Sequence, residues 1–193
     1  MTKQTPQIQK LTESAVMTAL AVALCEISGL LPWPFLQGGS VTLFGMVPIL
    51  VIAYRHGIRQ GLLTAVVFGG IEMMFGLKNF SYVTGIAAYI ILALLDYLVA
   101  FGVMGLGGVF RDKIRHNQKA ELIAGGVLCC VLRFICHYIS GMVIWSGYCP
   151  AEQNLFIYNL IYNGGYMLPE TVLTVIGLAA VGSLFDFRKK RIG

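Results

Sequence analysis

The sequence predicts an all-α integral membrane protein: one bundle of six transmembrane helices with both termini cytoplasmic. Three observations carry that prediction. Of the 193 residues, 57% are hydrophobic and only 12% charged, where soluble chains run nearer a quarter charged. The apolar residues come in long runs, and a helix needs ~20 of them to cross a bilayer. Once spans are drawn, the basic residues fall almost entirely on one side of them.

The first ten residues, MTKQTPQIQK, are polar. The apolar run behind them passes into Glu26 and a Leu-Pro-Trp-Pro turn without a small-residue cleavage site, so a retained first span is expected at 11–31. The next two runs, 42–54 and 61–76, are short, and a shallow re-entrant hairpin is the alternative to two spans. RHGIRQ lies between them. Burying Arg55 and Arg59 near the midplane would cost ~2.5–3.5 kcal/mol each, so two short or tilted spans flanking a cytoplasmic loop are expected. The fourth, fifth and sixth spans are expected at 82–110, 120–145 and 155–185, all within a single membrane-embedded domain, 1–193.

In this arrangement Lys3, Lys10, Arg55, Arg59, Arg111, Lys113, Arg115, Lys119, Arg188, Lys189, Lys190 and Arg191 share one side. They are twelve of the fourteen Lys and Arg residues. The positive-inside rule makes that side cytoplasmic. The FRKKR tail reads as a span-end anchor rather than a nucleic-acid patch. The loops on both sides are short. No GxxxxGK[ST] phosphate loop occurs, and GLGG at 105–108 is not a dinucleotide fingerprint, so the chain is not expected to hydrolyse ATP. The five cysteines (Cys25, Cys129, Cys130, Cys136 and Cys149) are odd in number and include no CxxC pair. They read as packing residues, not as a disulfide framework or zinc site.

Ionisable side chains inside spans are costly and usually functional. Here they are Glu26, Glu72, Asp96, Arg133, His137 and Glu170. Arg133, His137, Gly141 and Trp145 recur every four residues, so on a helix turning ~100° per residue they share one sector. The glycine is expected to leave a gap where a flat ring could stack on Trp145. Asn159, Asn163, Tyr166 and Glu170 form a second stripe at spacings of four, three and four, flanked by Tyr158 and Tyr162. Amides do not face lipid uncompensated, so this stripe points inward, either as glue between helices or as pocket lining. Asp96-Tyr97 adds a carboxylate, and Tyr89, seven residues earlier, falls on nearly the same helical face. A buried aspartate needs a cation; Arg133 and a cationic ligand are both open.

These groups suit a pocket for an organic cation with a flat heterocycle, held by π faces and a carboxylate. No HExxH, nucleophile elbow or metal-spaced carboxylate pair is present. Ser140, near His137, is the best nucleophile candidate, but it lies on the opposite flank from Gly141. The chain is therefore not expected to be an enzyme or to hold a metal.

Three stretches carry a resemblance: GGSVTLFGMVPILVIAYRHGIRQG, ALLDYLVAFG, and RFICHYISGMVIWSGYCPAEQNLFIYNLIYNGGYMLPE. Together they cover about half the chain. In them it resembles the thiamine-specific substrate-binding (S) component of energy-coupling factor (ECF) transporters. That resemblance implies a six-helix subunit binding one vitamin near its outer face, with His137, Gly141, Trp145, Tyr158 and Asn163 lining the site. It matches Asp96-Tyr97 to the family's acidic-Tyr pair and Trp33 to a tryptophan that closes the pocket from the first outer loop. It also implies that the small-residue series Ala15, Ala19 and Ala23 meets a transmembrane coupling subunit connected to two ATPases. Thiamine is then ligand rather than cofactor, and ATP is used only by the partners. Two departures stand out: Tyr89-Ile90-Ile91-Leu92 replaces a His-Pro-x-Gln-like stretch, and Glu72 stands where an amide is expected. The alternatives are the same architecture for a thiamine precursor or analogue or for riboflavin, a membrane enzyme using His137 and Asp96, and an ion-coupled transporter using Asp96 and Glu170.

Overall fold

The structure, a computed structural model, describes residues 6–31 and 41–188. Trp33 lies outside the described residues, as do Lys3, Lys189, Lys190 and Arg191. Every regular element among the described residues is a helix. Helix α1 is Pro6–Gly29, α2 is Val47–His56 and α3 is Ile58–Phe75. The rod α4, Ile86–Gly108, changes its winding along its length. Ile86–Ile91 is α-helical, Leu92–Leu98 opens into a π-helical stretch, Val99–Gly102 returns to α, and Val103–Gly108 tightens to 3-10. Helix α5 is Gln118–Val143 and α6 is Leu155–Leu184. Asn117 and Asn154 start the last two by accepting first-turn N–H groups, Ala120 N at 3.1 Å and Phe156 N at 3.0 Å.

Among the described residues, five helices are long and apolar enough to cross a membrane: 7–29, 58–75, 86–108, 118–143 and 155–184. The expected second span differs. Residues 41–46 are not helical, and α2 holds only 10 residues, about 15 Å of rise against a ~30 Å hydrocarbon core. The reason is local. Thr42 gives its N–H to Glu170 rather than to a helix, and Phe44 sits at φ 62°. Pro48, tolerated in a helix's first turn, then marks where α2 begins. Gly57 ends it at φ 86°, a region glycine enters freely, and the chain turns straight into α3.

Helix α2 is the core of the bundle. Every residue from Val47 to Tyr54 is buried, with α1, α3 and the 3-10 end of α4 packed around it. Helices α5 and α6 pack along one another and complete the ring. Close approach is made possible by glycine. A Cβ on Gly61 would stand 2.6 Å from Ala53 Cβ and from the Gly105 carbonyl, and one on Gly125 would run into the Gly107 backbone. The GLGG run is thus a seam where three backbones touch. Replacing Gly125 with valine is expected to lower the thermal unfolding temperature of the detergent-solubilised protein by several degrees, since the obstructing atoms are backbone and cannot rotate away. Unchanged melting would show that the seam opens freely.

The two ends of the bundle differ chemically. At one, Glu13 binds Arg55 Nε at 2.8 Å and His56 Nε2 at 2.7 Å, tying α1 to the end of α2. Nearby, Glu121 accepts from Tyr54 Oη and Arg188 Nη2, each at 2.6 Å. At the opposite end α1, α3 and α5 finish and α6 begins, and there the polar intramembrane groups converge.

Candidate functional site

Asp96 is the hub. The π-helical stretch of α4 aims its carboxylate at α5; such wide turns recur at functional sites. Ser140 Oγ donates to Asp96 Oδ2 at 2.8 Å, Trp145 Nε1 donates to the same oxygen at 2.9 Å, and His137 Nδ1 stands 3.1 Å from Oδ1. An aspartate that accepts through Oδ1 assigns the imidazole proton to Nδ1, leaving His137 Nε2 as an acceptor. Of the two cations left open for this aspartate, Arg133 is not its partner. Arg133 instead pairs with Glu170, Nη1 to Oε1 at 3.8 Å, and its guanidinium lies 4.4 Å over the Phe101 ring. Glu170 also accepts from Thr42 N and Thr42 Oγ1, each at 2.6 Å.

Helix α5 ends at Val143, so Trp145 does not continue its face. It begins the 3-10 turn 146–148 and is held by its indole bond to Asp96. Tyr148, beyond the helix end, donates to the Tyr82 carbonyl at 3.1 Å. The gap expected at Gly141 is already filled: a Cβ there would run into the Asn159 carboxamide. Asn159 donates to the Tyr138 carbonyl at 2.7 Å, Asn163 Nδ2 donates to Asn159, and Tyr166 Oη donates to Asn163 Oδ1. The α6 stripe is therefore inward-facing and cross-linked within itself, while Tyr158 and Tyr162 stack beside it at 6.1 Å and 19°.

These groups surround one cavity of about 290 Å³. Asp96, Tyr97, His137, Gly141, Trp145, Tyr158 and Asn163 all line it. Tyr97 is fixed by accepting from Asn79 Nδ2 at 2.8 Å and donating to the Gly76 carbonyl at 3.1 Å. Tyr89 does not line it; it is 41% exposed, its ring 6.0 Å from Phe80. Asp96 lies inside the π-helical stretch, four residues past its start at Leu92, and that stretch turns less per residue than an α-helix, so a seven-residue spacing no longer returns to the same face. Trp33 lies outside the described residues.

Sequence reasoning missed Ser140 as a tie to Asp96 and underused Glu72 and Arg133. The usable signal was the cost of charge in a membrane span. Among the described residues, three buried polar atoms have no hydrogen-bond partner: Glu72 Oε1, Arg133 Nε and His137 Nε2. All three side chains line the cavity. Buried polar groups are nearly always satisfied, and three exceptions around one hollow mark a place shaped for something else. No group of three metal-ligating side chains occurs among the described residues.

On the outside of α1, Ala15, Ala19 and Ala23 are exposed, whereas Ser14, Thr18, Ala21, Cys25 and Ser28 turn into the bundle. The alanine series therefore forms a smooth outward face.

An apolar helical bundle with a cavity of this size, lined by rings and unsatisfied polar atoms, defines a membrane-embedded small-molecule binder. The model of the family described as thiamine transporter protein (Thia_YuaJ) matches residues 11–186, and the chain belongs to this family, one of transporters and not of enzymes. The thiamine transporter ThiT of Bacillus subtilis is 35% identical over 184 residues, covering 91% of each chain. ThiT of Lacticaseibacillus paracasei is 29% identical over 185 residues, covering 90% of this chain and 87% of the other. The solved structure of ThiT from Listeria monocytogenes superposes with a TM-score of 0.73 at 22% identity, over 93% of this chain and 96% of that one, and shows the shared fold.

Proposed function

We propose that this protein is the thiamine-capturing S component of an ECF-type importer. The observation that carries this reading is a cavity with aromatic walls that is also lined by Asp96, Glu72, Arg133 and His137, the last three each holding a buried side-chain atom without a hydrogen-bond partner. Thiamine, an aminopyrimidine joined to a cationic thiazolium, has the matching features. The Trp145 face, locked by its Nε1–H bond to Asp96, and the Tyr158 ring offer π surfaces to a flat cation. His137 Nε2 accepts an amino N–H. Carboxylates outnumber cations around the hollow, since Asp96, Glu72 and Glu26 face it while Arg133 is shared with Glu170 behind it; a cation relieves that excess. Tyr97, Gly141 and Asn163 shape the remaining wall.

The cavity lies at the bundle end opposite Arg55, Arg59, Arg111, Lys113, Arg115, Lys119 and Arg188. By the positive-inside rule it opens outward and both termini are cytoplasmic. The short α2, together with the non-helical residues 41–46 before it, serves as the second of six transmembrane segments. The exposed Ala15, Ala19 and Ala23 face suits close helix packing, here against the coupling subunit. Two ATPases on that subunit supply the energy, and reorientation of the loaded S component delivers the vitamin. No cofactor takes part.

The test is mass spectrometry of protein extracted gently from thiamine-grown cells. It should release unmodified thiamine at one molecule per chain, and titration of the emptied protein should quench tryptophan fluorescence without sodium or a proton gradient. Release of a different heterocycle, or of a chemically altered thiamine, would refute the assignment.

A further inference from the structure

The end of the bundle opposite the cavity holds a second polar cluster that takes no part in the site. The connection between α4 and α5 is unusual in its backbone. Asp112, Arg115 and His116 stand at φ 61°, 45° and 53°, the left-handed region that residues with a side chain enter only at a cost. No glycine occurs in residues 109–117 to relieve it. Conformations of this kind last only where their surroundings hold them.

What holds the connection is Arg188. Its Nη1 donates to the His116 carbonyl at 2.6 Å, its Nη2 to Glu121 Oε2 at 2.6 Å and its Nε to Tyr54 Oη at 3.1 Å. Asp112 Oδ1 lies 3.8 Å from Nη2. Glu121 is fully buried, and its other oxygen accepts the Ile114 N–H at 3.3 Å. The segment that carries Arg188 is itself fastened: Gln118 Nε2 donates to the Phe185 carbonyl at 2.6 Å, and the Phe187 N–H donates to Gln118 Oε1 at 2.8 Å. Arg188, the first basic residue of the FRKKR tail, is thus spent inside the protein rather than on a membrane surface. The Asp112 carboxylate, the Ile114 N–H and the His116 carbonyl are all drawn toward this cluster, while the intervening Lys113 and Arg115 are exposed.

We infer that residues 185–188 form a latch: one guanidinium keeps the α4–α5 connection in a sprung form, and its withdrawal frees residues 109–117 while the helices stay packed. The helices stay because the buried α2 and the glycine seam do not depend on Arg188. The latched form turns Lys113 and Arg115 outward, so the latch decides which surface a partner at this end of the bundle meets.

Hydrogen–deuterium exchange of the detergent-solubilised full chain tests this, because the Arg111, Lys113, Ile114 and Asn117 N–H groups are hydrogen-bonded in the latched form. Arg188→Met should raise exchange across 109–117 by ~10-fold or more, the scale expected when a buried ion pair is broken. Peptides from α3 and from the cavity end of α6 should be unchanged. Because Arg188→Met also strands the buried Glu121, the double variant Arg188→Met with Glu121→Gln is the sharper comparison. It should melt close to wild type yet still exchange fast across 109–117, since glutamine removes the stranded charge but does not restore the hold on His116. Exchange across 109–117 at the wild-type rate in the double variant, or a rise spread evenly over all the helices, would overturn the latch.

Discussion

Asp96→Ala is expected to weaken thiamine binding by at least ~100-fold, about 3 kcal/mol. The size follows from what Asp96 holds. It accepts from Ser140, Trp145 and His137 at 2.8–3.1 Å, and hydrogen bonds to a charged group contribute about 1.5–3 kcal/mol each. Without it the Trp145 indole loses its anchor, the imidazole loses the partner that fixes its proton on Nδ1, and the cavity loses one negative charge. Asn in place of Asp can keep an acceptor for Ser140 and Trp145, but its NH₂ then faces His137 Nδ1 and forces the imidazole proton onto Nε2, so it too should weaken binding, by less than Ala. Calorimetric titration checks this, with a melting curve in parallel. A variant that melts lower but binds normally would make Asp96 a fold residue with no part in the site.

Arg133→Met is expected to give the largest loss of stability, about 3–5 kcal/mol, because it strands a buried carboxylate. Glu170 is 1% exposed and Arg133 is its cation. The two Thr42 bonds remain but do not neutralise it. Adding Glu170→Gln to Arg133→Met should recover most of the loss, since glutamine can still accept the Thr42 N–H without carrying charge. Thermal denaturation in detergent reads both steps. A single variant as stable as wild type, or a double variant as unstable as the single, would contradict the pairing.

The sequence made the membrane environment and most helices legible, because apolar run length reports directly on what a bilayer tolerates. It also showed that Asn159, Asn163, Tyr166 and Glu170 share an inward stripe, because α6 is regular where they sit. It misled where helices depart from 3.6 residues per turn. Tyr89 was expected on nearly the same face as Asp96, but the π-helical stretch that begins at Leu92 and includes Asp96 rotates their faces apart. Trp145 was expected on the α5 face, yet the helix stops at Val143 and the indole reaches Asp96 from the turn beyond. The second span shrank to ten residues because Thr42 binds a glutamate 128 positions away, a contact no local pattern encodes. Ser140 was legible only as a candidate nucleophile; its bond to Asp96 depends on how α4 is wound against α5.

The central claim is that the hollow ringed by Asp96, His137, Trp145 and Tyr158 is where thiamine sits. A crystal structure of the protein grown with thiamine tests it most directly. The account predicts one thiamine in that hollow, its rings against Trp145 and Tyr158, with His137 Nε2, Glu72 Oε1 and Arg133 Nε no longer without partners. Thiamine bound elsewhere on the molecule, with the hollow collapsed or lipid-filled, would contradict it.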